Sequence, residues 1–245
     1  SDLKNMSDDE SILWKKLENS RQVPLEPLWL ENVYSPNLTF DLRKALSEKM
    51  GLLADRGWPV IKCLLQRYGD LPDLVVAAGL CHQIEAREWL LELLTRSDDD
   101  ENIQLLTVQS LSCWGAEVPA AIITKCLHHP SQAQRLAGLE LIKFRSHLLT
   151  DEQLLDYCNE ALNDFRDSVV VAAIRIIQRR DSKSISKKLY ELCQKGSDSV
   201  ADASLRALSC IATADSRYYL KLLSQSLTLD SRRELALQKL KEQYR

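Results

Sequence analysis

A slim pair followed by a branched apolar residue recurs along this chain: Ala78-Gly79-Leu80, Leu106-Thr107-Val108, Ala137-Gly138-Leu139, Ala172-Ala173-Ile174 and Ala203-Ser204-Leu205. The third positions lie 28, 31, 35 and 31 residues apart. A period of that length fits two helices and their turns, a unit that buries its apolar face only by stacking on its neighbours. Small residues allow two helices to approach closely, and the branched residue fills the layer between units. A second register gives the same period. Cys63, Leu94, Cys126, Cys158 and Cys193 form a column with steps of 31, 32, 32 and 35. Four before them stand Pro59, Leu90, Ile122, Leu154 and Leu189, and three before stand Val60, Leu91, Ile123, Leu155 and Tyr190. Five before stand Trp58, Trp89, Ala121, Gln153 and Lys188, a column that accepts amide and ammonium groups and is therefore expected to be partly exposed. The chain is expected to be all-α, a stack of about six helical hairpins.

Local signals agree. Pro59, Pro72, Pro119 and Pro130 stand at or just before apolar-periodic segments, where a helix tolerates the missing donor. The segments between read as helices of about 11–16 residues joined by polar loops such as Ser97-Asp98-Asp99-Asp100. The β-branched run Val169–Val171 continues into Ala172-Ala173-Ile174, which favours a buried helix, and no strand is expected.

The most legible unit runs from Ser197 to about Leu227: an Asp-Ser-Val opening, an Ala-rich first helix, Asp215 at the turn, then Tyr219-Leu220-Lys221-Leu222-Leu223. Its companion opens Asp167-Ser168-Val169-Val170-Val171-Ala172-Ala173. These units resemble the HEAT repeat, in the short variety found in the phycobilin lyase family, over roughly residues 39–230. The arginine common after the opening Asp-x-Val is replaced by Val170 and Ala201. The resemblance implies a right-handed α-α superhelix whose second helices line a concave binding surface.

Residues 1–38 lie outside the repeats. Ser7-Asp8-Asp9-Glu10 reads as a helix start with acidic first-turn charge, leading into Ile12, Leu13, Trp14 and Leu17. Pro24, Pro27 and Pro36 then predict an extended stretch carrying Leu25, Leu28, Trp29 and Leu30. Its apolar content favours a cap over the open end of the array, the alternative being a docking arm for a partner. Residues 231–245 read as a terminal amphipathic capping helix.

Composition narrows the function. No apolar run approaches the ~20 residues that span a bilayer, and residues 1–20 lack a signal-peptide apolar region. Seven cysteines without a short-spaced framework read as reduced thiols, which points to the cytoplasm. Net charge is −3, against a generally basic nucleic-acid binder, yet residues 1–122 carry −8 and residues 123–245 carry +5. Such polarity steers charged partners.

Motifs for chemistry are sparse. Cysteines at Cys63, Cys126, Cys158 and Cys193 alternate with a leucine in register, and Cys113 and Cys210 both stand five after a column residue, so all six read as small hydrophobes; Cys81 falls outside both columns. Cys126-x-His128-His129 and Cys81-His82 lack the paired spacing of a zinc site, so no metal is expected. There is no Gly-rich phosphate loop, Gly-x-Ser-x-Gly elbow or His-Glu-x-x-His, and no cofactor is expected. Basic residues gather at Arg179, Arg180, Lys183, Lys187 and Lys188 without interleaved aromatics until Tyr190, a pattern suited to an acidic protein patch or a solvated rim rather than to base stacking. Trp58 and Trp89, the latter with Arg87 and Glu88 at the rim, read either as hot spots on the binding face or as contacts to the N-terminal cap.

The expectation is a non-enzymatic protein-binding scaffold or adaptor. Its partner carries a charged patch, and its contact residues are Trp58, Arg87, Glu88, Trp89, Gln153, Arg180, Lys183, Lys187 and Lys188. The alternative, from the family resemblance, is a phycobilin lyase-like or chromophore-handling protein with Trp58 and Trp89 as walls of a tetrapyrrole groove.

Overall fold

The computed structural model describes residues 8–226 and 230–244, and among them are fifteen α-helices and no strand. In chain order these are α1 (Asp8–Glu18), α2 (Pro27–Val33), α3 (Phe40–Leu52), α4 (Trp58–Tyr68), α5 (Pro72–Leu80), α6 (Ile84–Arg96), α7 (Glu101–Ser110), α8 (Ala120–Leu127), α9 (Gln132–Lys143), α10 (Asp151–Leu162), α11 (Asp167–Ile177), α12 (Lys183–Lys195), α13 (Asp198–Ile211), α14 (Ala214–Ser226) and α15 (Asp230–Glu242). They form two compact units, Ser1–Leu111 and Ser112–Arg245. Unit 1 holds the pairs α3–α4 and α5–α6, and unit 2 holds α9–α10, α11–α12 and α13–α14. α7 is the last α-helix of unit 1 and α8 the first of unit 2.

Helix starts follow from local chemistry. Pro72 opens α5, and Pro119 stands at the N-cap of α8. Asp100, Ser182 and Ser197 accept hydrogen bonds from Ile103, Ile185 and Val200 backbone N–H groups, which cap α7, α12 and α13. α4 ends at Gly69, whose φ of 89° few other residues adopt readily. Within each unit first helices pack on first helices (α3 on α5, α5 on α7, α9 on α11, α11 on α13), and in unit 2 second helices pack on second helices (α8 on α10, α10 on α12, α12 on α14). That is stacking at the period of the sequence.

Burial refines the register. The buried stripe of the second helices is Ile61, Leu64, Leu65; Leu90, Leu93, Leu94; Ile123, Cys126, Leu127; Cys158, Ala161, Leu162; and Leu189, Leu192, Cys193. Its last positions step by 29, 33, 35 and 31. Cys158, Cys126 and Cys193 therefore occupy the first, second and third places of one stripe rather than a single column. Each is nonetheless fully enclosed, as a small hydrophobe is. The sequence alignment slipped because connections of unequal length change the offset between helices. The same slip placed Leu80 in the core; α5 buries Leu74, Ala77 and Ala78 instead and leaves Leu80 44% exposed at its last turn. Cys113 and Cys210 prove exposed and Cys63 half-buried, whereas Cys81 is buried with its thiol donating to Ala78 O.

The stretch expected to be extended around Pro27 is the helix α2, with Pro27 in its first turn. It packs on α3 and α4, with Leu25, Leu30 and the following Tyr34 buried. Ser7, Leu227 and Arg245 lie outside the described residues.

Polar ties recur at the repeat distance. Arg145 donates to Val118 O at 2.8 Å and Gly115 O at 3.1 Å. Arg180 donates to Leu149 O at 2.9 Å, to Ser146 O and to Asp151 Oδ1 at 2.7 Å. Each guanidinium reaches back to main-chain carbonyls of an earlier turn. Gly115 has no substitute in its turn, since a Cβ there would stand 2.0 Å from Leu141 O. Turns between pairs are tied in the same way: Arg166 donates to Pro130 O, Ser197 and Ser199 to Asp167, and Arg232 to Cys193 O and Gly196 O. In unit 1 one tie is a buried carboxylate. Asp73 accepts from Tyr34 Oη at 2.5 Å and from Arg43 Nη2 at 2.7 Å, which joins α2, α3 and α5.

Candidate functional site

The second helices of unit 2 present a graded polar surface. A groove of about 570 Å³ lies between α8 and α10. Thr124 and His128 line one side; Gln153, Asp156, Tyr157 and Glu160 line the other. His128 Nδ1 stands 2.6 Å from Glu160 Oε2, and Arg135 Nη1 stands 3.8 Å from the same oxygen. Behind them Arg135 and Arg166 both pair with Asp164, at 3.1 and 3.0 Å. The Arg166 guanidinium first, then Arg135, holds the Asp164 carboxyl below the usual carboxylate range. The Asp164 cluster joins the turn after α8 to the turn after α10 and fixes the groove's end.

The next second helix reverses the charge. α12 packs on α10 and exposes Lys183 and Lys187, with Lys188 half-buried. One turn beyond Lys187, Tyr190 meets Tyr219 of α14 with ring centroids 4.9 Å apart, and Tyr218 meets Tyr219 at 5.5 Å. Tyr218 is exposed. Carboxylates, lysines and tyrosines thus follow one another across α10, α12 and α14. Sequence reading missed the tyrosines. The adjacent Tyr218-Tyr219 pair, one repeat after Tyr190, was the available signal.

The other expected site residues are placed differently. Trp58 is 5% exposed, and its Nε1 donates to Glu85 Oε2 at 3.1 Å. It stands three residues before Ile61 of the buried stripe, whereas Trp89 stands one before Leu90, so the two tryptophans do not share a place in the repeat. Trp58 is a core residue. Trp89, half-buried, lies against it with centroids 6.4 Å apart and planes at 59°, with Arg96 5.5 Å from the ring. The tilt and contact leave no parallel slot between the rings for a flat ligand. Arg87 donates to the neighbouring Glu88 at 2.9 Å, and Glu88 is exposed. Gln153 completes a capping box: its side chain accepts from Thr150 N at 2.9 Å while its own N–H donates to Thr150 Oγ1. Arg180 is committed to the turn carbonyls described above.

The metal-capable groups diverge. Cys126 Sγ faces Gln134, His128 faces Glu160, and His129 Nδ1 accepts from Ser131 N. Burial pushes the Cys126 thiol up to about 11, and the Cys158 and Cys193 thiols up to about 12. Such thiols are protonated at neutral pH and unreactive. Among the described residues no helix is long and apolar enough to cross a membrane.

Among solved structures the chain is similar to a designed armadillo repeat protein, with a TM-score of 0.40 and 16% identity over 89% of this chain and 99% of that one. It is also similar to the complex of CpcE and CpcF of phycocyanin lyase from Nostoc sp. PCC7120, with a TM-score of 0.44 and 15% identity over 89% of this chain and 95% of that one. No protein-family model matches the sequence, and no curated protein does.

Proposed function

We propose that the chain is a protein-binding scaffold whose second-helix face in unit 2 grips a partner carrying an acidic patch. The observation that carries this reading is the exposed lysine row of α12 set beside the tyrosine cluster of α12 and α14. Tyrosine supplies contact area at small entropic loss, and lysines steer an acidic surface into register. The carboxylate groove on α10 repels the same acidic surface and so fixes which way round the partner sits.

The test is capture from native lysate by the full chain, compared with K187E/K188E and Tyr218→Ala. One partner should be retained by the wild type, released as salt rises, and recovered several-fold less well by both variants. Equal recovery of that partner by all three would remove this face from the proposal. A coloured eluate would move the assignment to chromophore handling.

A further inference from the structure

The second-helix face of unit 2 is complementary to itself. Its helices α8, α10, α12 and α14 pack one on the next in that order. On the last three the buried positions repeat at one interval. Leu154, Cys158 and Ala161 are followed by Ile185, Leu189 and Leu192, then by Ser216, Leu220 and Leu223, each set 31 residues after the one before. Helices a whole repeat apart run in the same direction, so residues 31 apart stand at the same height on the face. The exposed residues share that register. Glu152 and Asp156 on α10 match Lys183 and Lys187 on α12, and Lys187 matches Tyr218 on α14. Among the described residues none of these carboxylates and ammonium groups has an ion-pair partner within the chain.

A two-fold axis running along the line between α10 and α12 exchanges these helices and keeps every height. It sets Glu152 and Asp156 of one copy against Lys183 and Lys187 of the other, and the reverse pairs form with them. The same rotation carries the tyrosines of α12 and α14 over the groove between α8 and α10. Tyr218, 58% exposed, stands at the height of Asp156 on the groove wall. Toward the groove's end Glu160 meets Glu191, a like charge that His128 and Arg135 already offset. We infer that unit 2 forms a symmetric dimer through this face, so that the acidic patch its lysines meet belongs to a second copy. This rests on the reading of the face as a docking surface and names its occupant. An unrelated protein must complement lysine row, carboxylate row, groove and tyrosines separately, whereas a second copy supplies all of these in one register. Helices about 8–10 Å apart give four of them a face of roughly 600 Å² per copy, the lower end for a specific interface. The dimer is therefore weak and salt-sensitive.

The test is sedimentation equilibrium of the full chain across concentration and salt. Wild type should dimerise at low salt and dissociate as salt rises. Lys187→Asp places a second negative charge against Asp156 of the other copy, and Asp156→Lys a second positive charge against Lys187. Each alone should weaken the dimer at least about tenfold. Mixed in equal amounts, the two variants should dimerise with each other, because both cross pairs are then matched. That recovery also shows that both variants are folded. Tyr218→Ala should weaken the dimer several-fold. A wild type monomeric at every concentration, a dimer untouched by both charge variants, or a mixture that stays monomeric would each overturn the inference. A monomeric chain that still holds a lysate protein through Lys187 and Lys188 keeps the docking face and rules out the second copy. A dimer that captures no other protein leaves the second copy as the partner.

Discussion

Units 1 and 2 stack helices at the same period but tie successive layers with different groups. Unit 1 relies on a matched set, Tyr34 and Arg43 converging on the buried Asp73. Unit 2 has carboxylate ties of its own at Asp164 and Asp167 and adds arginines that reach back to main-chain carbonyls: Arg145 to Gly115 and Val118, Arg180 to Ser146 and Leu149. A carbonyl is present in every turn whatever its sequence, so the second kind of tie needs one specified residue and the first needs three. The period is a property of helix stacking. The ties are local solutions, free to differ between neighbours.

The largest expected effect separates the units directly. Asp73→Ala leaves the Arg43 charge and the Tyr34 hydroxyl without their buried acceptor, and should destabilise unit 1 by about 3–5 kcal/mol. Hydrogen exchange read peptide by peptide should show protection lost in α2–α5 and retained in α9–α14. Equal loss in both units would mean that the Asp73 tie is not confined to unit 1. Arg180→Ala should do the converse, weakening unit 2 by about 2 kcal/mol in urea unfolding. Arg180→Lys should recover less than half of that, because an ammonium cannot fork between carbonyls and a carboxylate. Full recovery by lysine would mean that charge alone holds the turn.

A smaller difference should appear in alkali. The ordinary thiol value is 9.0, and burial raises those of Cys126, Cys158 and Cys193 to about 11, 12 and 12. Above pH 9 the unfolded chain releases protons that the folded unit retains, so stability falls as pH rises. This contribution is whole below pH 9 and is lost progressively toward 11–12. Unit 1 contributes Cys63, raised by Glu31 beside it, Cys81, raised by burial, and, from about pH 10 upward, Tyr34, lifted by burial and then by Asp73. Both units begin to weaken above pH 9, and unit 2, with three strongly raised thiols, should weaken more steeply between about pH 9 and 10. Urea midpoints at about pH 8 and about pH 10 should show this, and Cys158→Ala should flatten the slope. An unchanged slope in that variant would detach the effect from the thiols.

Much of this architecture was legible in the residues. Helix type, period and the small hydrophobic role of Cys126, Cys158 and Cys193 all follow from apolar spacing, which reports burial directly. Position within the repeat was less legible. Trp58 and Trp89 align by counting, but a two-residue difference in offset puts one inside the core and the other at its edge. Arg180 and Gln153 have the composition of a binding surface, yet their partners are backbone groups of a turn and a helix start. Such groups carry no sequence signature of their own. Leu80 looks like a core residue in sequence, and the same kind of offset leaves it outside while Ala77 and Ala78 are buried.

The backward reach of the arginines also sets an order of events. The turn at residues 115–118 is complete only when Arg145 arrives, some 27–30 positions later, and the turn at 146–149 waits in the same way for Arg180. At a synthesis rate of about 5–20 residues per second, that wait is on the order of a few seconds. A helix pair leaving the ribosome stays unclasped until its successor follows, so a stalled chain ends in an open turn whose carbonyls invite the wrong partner.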